Sequence, residues 1–137
     1  MKKIFFVLII LISSASCDSY EKKLDGISFS IGWVNLPELT NLYYNYPSGL
    51  GEGILMNRIT DVYWNEQYIL AKRCAYDNDS IIGYYIVTIL PEGIHRVPWK
   101  KTELLSEEEY EQTKKELGLN EQEMKHTNIF KRRFLWW

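Results

Sequence analysis

Two thiols and two imidazoles, Cys17, Cys74, His95 and His126, are the whole stock of cysteine and histidine in this chain. A zinc centre takes about four such ligands, with pairs at short spacing. His126 follows Glu123 at helical spacing, but no second ligand recurs at the interval a zinc site needs. No metal and no cofactor is expected, and both histidines read as surface residues. His95 lies in a loop between Glu92 and Arg96. A nucleophile–histidine–carboxylate set depends on convergence in space, which local sequence does not supply. Cys74 stands beside Lys72 and Arg73; cations can activate a thiol. A single strand cysteine is more commonly a small core residue, and core is the expectation. Asp77-Asn78-Asp79-Ser80 offers alternating oxygens, but the central glycine and distant glutamate of a calcium loop are missing. A polar turn is expected there. Gly49, Gly51 and Gly53 alternate, yet no helix cap follows them, so a loop or bulge is expected rather than a phosphate cradle.

Cys17 differs from these in what precedes it. Met1-Lys2-Lys3 is cationic, Ile4 to Ile12 is nine uninterrupted apolar residues, and Ser13-Ser14-Ala15-Ser16 is small. This is the layout of a secretory signal. A spanning helix needs roughly 20 apolar residues to cross about 30 Å of hydrocarbon. Nine residues at about 1.5 Å each cover less than half of that. The arrangement resembles a bacterial lipoprotein signal, in which the cysteine receives acyl chains such as palmitate and becomes the new N-terminus. The strict form of that signal has Leu three residues before the cysteine; here the position is Ser14. Two readings therefore stand: lipidation of Cys17, which is favoured, or ordinary cleavage after Ser16 with release of a soluble secreted or periplasmic protein. One acyl chain gives marginal binding, whereas two or more hold firmly, at about 0.8 kcal/mol per buried CH₂.

Composition bounds the rest. Taking Lys2 and Lys3 from the sixteen cationic residues leaves fourteen against eighteen anionic ones, a mature charge of about −4. No basic face for nucleic acid follows from that balance. Ten Tyr and five Trp favour strands over an all-helical domain. The expected organisation is a signal over residues 1–16, a polar tether over 17–25, and a single α+β domain over 26–137. With Cys17 lipidated, Cys74 has no disulfide partner and packing alone must hold the fold.

Alternation predicts strands at Ile27–Val34, Leu39–Tyr46, Gly53–Asn57, Ile59–Trp64, Gln67–Tyr76 and Ile81–Leu90. Asn65-Glu66 reads as a hairpin turn. The last of these strands is apolar on both faces, so it should be covered on both sides. Ser106 with Glu109 forms a capping box, Leu105 and Tyr110 a hydrophobic staple, and Gly118 a stop. A helix is predicted there, with a thin apolar stripe of Tyr110 and Leu117. A weaker capping pattern at Asn120 and Glu123 predicts a second helix from about Glu121. The expected architecture is an antiparallel β-meander sheet covered by one or two C-terminal helices.

The strand aromatics exceed what one core can hold, because neighbours along a strand point to opposite faces. Tyr63, Tyr68, Tyr84 and Tyr85 are the candidate binding surface, able to stack on a sugar or hold a peptide; cover by helices and loops is the alternative. Phe134-Leu135-Trp136-Trp137, after Lys131-Arg132-Arg133, suits either a membrane interface or the core, with the core favoured.

Val62-Tyr63-Trp64-Asn65, Tyr68-Ile69-Leu70-Ala71, Tyr84-Tyr85-Ile86-Val87 and the Ser106-to-Tyr110 helix start together resemble a family of small bacterial lipoproteins recorded only as a domain of unknown function, over roughly residues 25–118. The resemblance implies a cell-envelope setting and brings no catalytic residue. Function is therefore expected to be that of a non-enzymatic, lipid-anchored envelope protein, its partners the membrane through Cys17 and an envelope protein or glycan. The alternatives are an envelope hydrolase acting on cell-wall or glycan material, and an immunity or inhibitor protein presenting Glu107-Glu108-Glu109.

Overall fold

The computed structural model describes residues 19–34, 39–75 and 80–128. The expectations for the signal and Cys17, for Asp77 to Asp79, and for Ile129 to Trp137 concern residues outside that set. The described elements are β1 (Ser19–Lys23), β2 (Phe29–Val34), β3 (Asn41–Asn45), β4 (Gly51–Leu55), β5 (Ile59–Trp64), β6 (Tyr68–Cys74), β7 (Ile81–Ile89), β8 (Trp99–Lys101), α1 (Glu107–Leu117), a 3₁₀ turn (Glu121–Glu123) and β9 (Lys125–Asn128). They are mixed α+β, mostly antiparallel strand. The strands form two sheets, of order β1-β2-β3-β4 and β8-β7-β6-β5-β9.

The two sheets share one core. Phe29, Ile31 and Leu42 from the first pack with Ile59, Val62, Ile69, Ala71 and Val87 from the second, all fully buried. Fully burying such a side chain contributes about 1.5–3 kcal/mol. Strict alternation would turn Ile59 and Val62 to opposite faces, since three positions separate them. A register shift between Ile59 and Asp61 brings both inward. The opposite face of the five-stranded sheet carries Leu70, Tyr84 and Ile86, and α1 covers it through Tyr110. This layering explains the double-faced run of β7: Val87 meets the first sheet while Tyr84 and Ile86 meet the helix.

Both ends of the layered domain are tied. At one end the β1–β2 turn meets the β5–β6 side, where the Trp64 indole N–H donates to the Asp25 carbonyl at 3.0 Å and Lys125 Nζ reaches the same oxygen at 3.4 Å. In the β5–β6 turn, Asn65 Oδ1 accepts from the Gln67 and Tyr68 amides, so its side chain supplies the turn chemistry that a glycine otherwise would. We call this the hairpin end. At the other, the crossover end, β4 passes to β5 through Asn57 and Arg58, both at positive φ. The Asn57 amide donates to Asn41 Oδ1 at 2.7 Å, and Arg58 Nη2 donates to the Ala75 carbonyl at 3.0 Å. These bonds hold a left-handed conformation that non-glycine residues rarely adopt.

Three expectations need correction. The single sheet is two: β1 to β4 form a separate sheet that packs on the other. Residues 19–23 of the expected tether are instead strand: Ser19–Lys23 is the edge strand β1, paired with β2 from Ser19↔Val34 to Lys23↔Ser30. Its polar sequence hides it, since an edge strand with one solvated face has little apolar pattern to show. The second helix is only the 3₁₀ turn, after which Lys125–Asn128 pairs with the open edge of β5. A free row of backbone groups on β5 outweighs a weak capping signal. Within α1 the capping box and the Gly118 stop (φ 67) are present. The second inward residue, however, is Lys114 rather than Leu117, which is 40% exposed.

Candidate functional site

The four tyrosines divide between faces as alternation requires. Tyr63, Tyr68 and Tyr84 lie on the helix side of the five-stranded sheet. Tyr85 lies on the other side, against the inter-sheet core, with its hydroxyl accepting from Arg73 Nη1 at 3.3 Å. The structure therefore brings three of the four together and closes Tyr84 under the helix, where the Tyr110 ring stacks on it at 4.2 Å and 11°. Tyr63 and Tyr68 are half-buried at the margin.

A polar cluster borders that margin. Asp61 and Lys72 face each other across β5 and β6, with Nζ to Oδ2 at 3.7 Å. Tyr63 faces His126 across β5 and β9, and the two rings stack at 4.2 Å. His126 Nε2 also contacts Asp61 Oδ1, and Lys72 Nζ lies 5.4 Å from the Tyr63 ring centre. His126 is thus part of a cross-strand pair with Asp61, a neighbour far away in sequence that helical spacing could not suggest. The signal that could have found it is Asp61 itself, the one charged residue of its strand.

A second cluster closes the helix end. The Tyr110 hydroxyl donates to Glu121 Oε1 at 2.6 Å, and Lys114 Nζ donates to the same atom at 3.0 Å and to Glu111 at 2.9 Å. Burial raises the Tyr110 hydroxyl far above the ordinary phenol value, and the Glu121 bond adds to this. Burial alone would raise Glu121 too, but the bonds from Tyr110 and Lys114 outweigh it and hold the carboxyl below its usual range. Burial pushes Lys114 down, and its bonds to Glu111 and Glu121 more than reverse that. The open hollow beside this cluster, about 380 Å³, is lined in part by Glu111, Lys114 and Glu121, which are already paired with one another.

The pairing has a sign in pH. A carboxyl with a lowered folded pKa stabilises above its unfolded value, near 4.3, and that contribution is lost as pH falls through the folded value. Lys114, raised above 10.5, stabilises below that value and loses the contribution as pH rises through the folded one. Glu121→Gln should therefore lower stability at neutral pH, with the difference from the parent shrinking below about pH 4. Urea unfolding across a pH series checks this; a difference that stays constant into acid would contradict it.

A second concave surface lies at the hairpin end. A groove of about 160 Å³ is lined by Gly26, Ile27, Ser28, Phe29, Tyr44, Glu66, Ile89, Leu90, Glu92 and Pro98. Three loops and the strands β2, β3 and β7 build it, so no local motif could announce it. The Ser28 and Tyr44 hydroxyls each donate to Glu92 Oε1 at 3.3 Å, which aims that carboxylate along the wall. Burial raises the Tyr44 hydroxyl, with the Glu92 charge as the next cause. Apolar walls with two glutamates suit a ligand bearing hydroxyl or cationic groups.

No family model, curated protein or solved structure matches this chain. His95 is exposed and does not line the groove. Cys74 is buried, its sulfur 3.2 Å from Thr60 Oγ1. Gly51 and Gly53 lie in β4, and Gly49 (φ 91) shapes the turn before it. Among the described residues no group of three or more His, Cys, Asp or Glu is placed to hold a metal. Among them, too, no helix is long and apolar enough to cross a membrane.

Proposed function

We propose that this chain is exported and held at a bacterial cell-envelope membrane by acyl chains on Cys17, with residues 1–16 removed as its signal. Its α+β domain then serves as a non-enzymatic binding or accessory module. One observation carries the reading: a cationic start, nine apolar residues and a small-residue stretch end at a cysteine two positions before β1. An apolar segment that can engage export machinery yet falls short of a membrane span is suited to removal. The acidic groove at the hairpin end is the surface offered to an envelope protein or glycan. β1 begins at the opposite, crossover end, so an anchor there leaves the groove directed away from the bilayer.

The test is Cys17→Ser in a bacterial host, with fractionation under high-salt washing and intact mass after detergent extraction. The parent is expected to lack residues 1–16 and to carry acyl chains. The variant is expected to carry none. A parent mass without acyl chains, or with residues 1–16 retained, would overturn the reading.

A further inference from the structure

Four strands edge the two sheets among the described residues: β1, β4, β8 and β9. Three of them carry lysine, which discourages pairing with another chain. β4, Gly51-Glu52-Gly53-Ile54-Leu55, carries none. Its two halves differ. In the later half the register with β3 shifts, Lys101 Nζ reaches the Ile54 carbonyl at 3.2 Å, and Ile54 and Leu55 are buried. In the earlier half Gly51, Glu52 and Gly53 are exposed. The Tyr46 amide donates to the Leu50 carbonyl at 2.9 Å, so these two form a hydrogen-bonded pair of the antiparallel ladder. Such pairs alternate with pairs whose backbone groups point away from each other. Tyr44 and Glu52 therefore exchange bonds, while the amides and carbonyls of Gly51 and Gly53 point outward from the sheet. On one face of this open edge stands Glu52, whose carboxylate accepts from the Tyr46 hydroxyl. Among the described residues no lysine or arginine pairs with it. On the other face Met56, 51% exposed, lies over Gly53, where a Cβ would sit 2.5 Å from its sulfur.

We propose that the edge at residues 51–53 takes on an extended segment of a partner protein as an added strand, with arginine or lysine on the Glu52 face and apolar residues on the Met56 face. The proposal rests on the binding-module reading and deepens it by naming the partner's chemistry; it does not depend on acylation of Cys17. Backbone bonds to an open edge give affinity, and alternate side chains of the added strand give selectivity. Charge complementarity decides the occupant. A second copy of this chain would bring a strand whose one charge is another Glu52, and like charges on facing strands repel. A basic segment instead meets Glu52 and, close by, Glu92. The Tyr44 and Tyr46 rings meet edge-on at 4.8 Å, and their hydroxyls donate to Glu92 and Glu52 respectively. Tyr44 also lines the groove, so the added strand would run beside it at the hairpin end.

The test uses the protein as extracted in detergent and two capped hexapeptides, one alternating arginine with valine, the other glutamate with valine. Isothermal titration and amide NMR follow each. The arginine peptide is expected to bind, and the glutamate peptide to bind about ten-fold more weakly or not at all. The Gly51 and Gly53 amides should shift and gain protection from exchange. Gly51→Pro removes one outward donor at a place where an edge strand tolerates proline, and should weaken binding about ten-fold. Glu52→Lys should reverse the preference between the peptides. No binding of the arginine peptide, equal binding of both, or shifts confined to other amides would overturn the proposal. The amide map is read on the parent, so it decides the matter even if Gly51→Pro fails to fold. Sedimentation showing a dimer whose Gly51 and Gly53 amides are already protected would assign the edge to a second copy and overturn the proposal as well. Acylation of Cys17 is read separately by the mass measurement, and its failure would leave peptide binding unchanged.

Discussion

Gly32→Ala is expected to destabilise the domain by about 2–4 kcal/mol. A Cβ at this position would sit 2.1 Å from the Tyr20 carbonyl oxygen and 3.0 Å from Tyr20 C and Glu21 Cα. All three are backbone atoms of β1, so no side chain can rotate away. The strand itself must move, and with it the Tyr20–Trp33 ring stack at 4.7 Å and the Lys22–Thr127 bond between the two sheets. Gly51→Ala is the control: its nearest neighbour would be the Asn45 side chain at 3.6 Å, an ordinary contact. It should change stability by less than about 0.5 kcal/mol. Urea unfolding followed by circular dichroism reads both variants. Amide exchange should show β1 opening in the first and not in the second.

Tyr110→Ala should remove about 3–5 kcal/mol. Tyr110 is the sole fully buried apolar side chain of α1 and fills the space over Tyr84, Leu70 and Ile86. Without it the helix keeps only the Lys114 stem on that face. Lys114 also loses the ring that its ammonium overlies at 4.4 Å. Tyr110→Phe separates ring from hydroxyl. It keeps the stack and removes the bond to Glu121, with an expected loss of about 1–2 kcal/mol. Thermal and denaturant unfolding of the pair gives the partition. If Phe proved as damaging as Ala, the hydroxyl and not the ring would hold the helix.

The same two residues show what the amino-acid pattern can and cannot reveal. Tyr110 was legible, because a capping box places it at a staple position where it must meet something apolar. Its partner was not, since nothing local to Tyr84 says that a helix from beyond β8 lies over it. β5 and β7 were legible within a residue at each end, their β-branched and aromatic residues marking both strand and limits. β1, β8 and β9 were invisible for a shared reason. Each is short, polar and at a sheet edge, and each forms because a neighbouring strand offers unpaired backbone groups. The splitting of the strands into two sheets was hidden because Met56-Asn57-Arg58 resembles any polar turn, whereas its positive-φ backbone carries the chain from one sheet to the other. Alternation placed Tyr84 and Tyr85 on opposite faces correctly. Which face stays open depends on covering elements, and the groove depends on three loops meeting, so neither could be read from spacing.

The charged edges have a bearing on self-association. β1 carries Glu21, Lys22 and Lys23, β8 carries Lys100 and Lys101, and β9 carries Lys125 and His126. Strand edges are where two copies would zip together. Lysines at those positions oppose such pairing by charge repulsion and by the penalty of drying an ammonium group. The features that concealed these strands in the primary structure are therefore the ones that keep neighbouring copies apart.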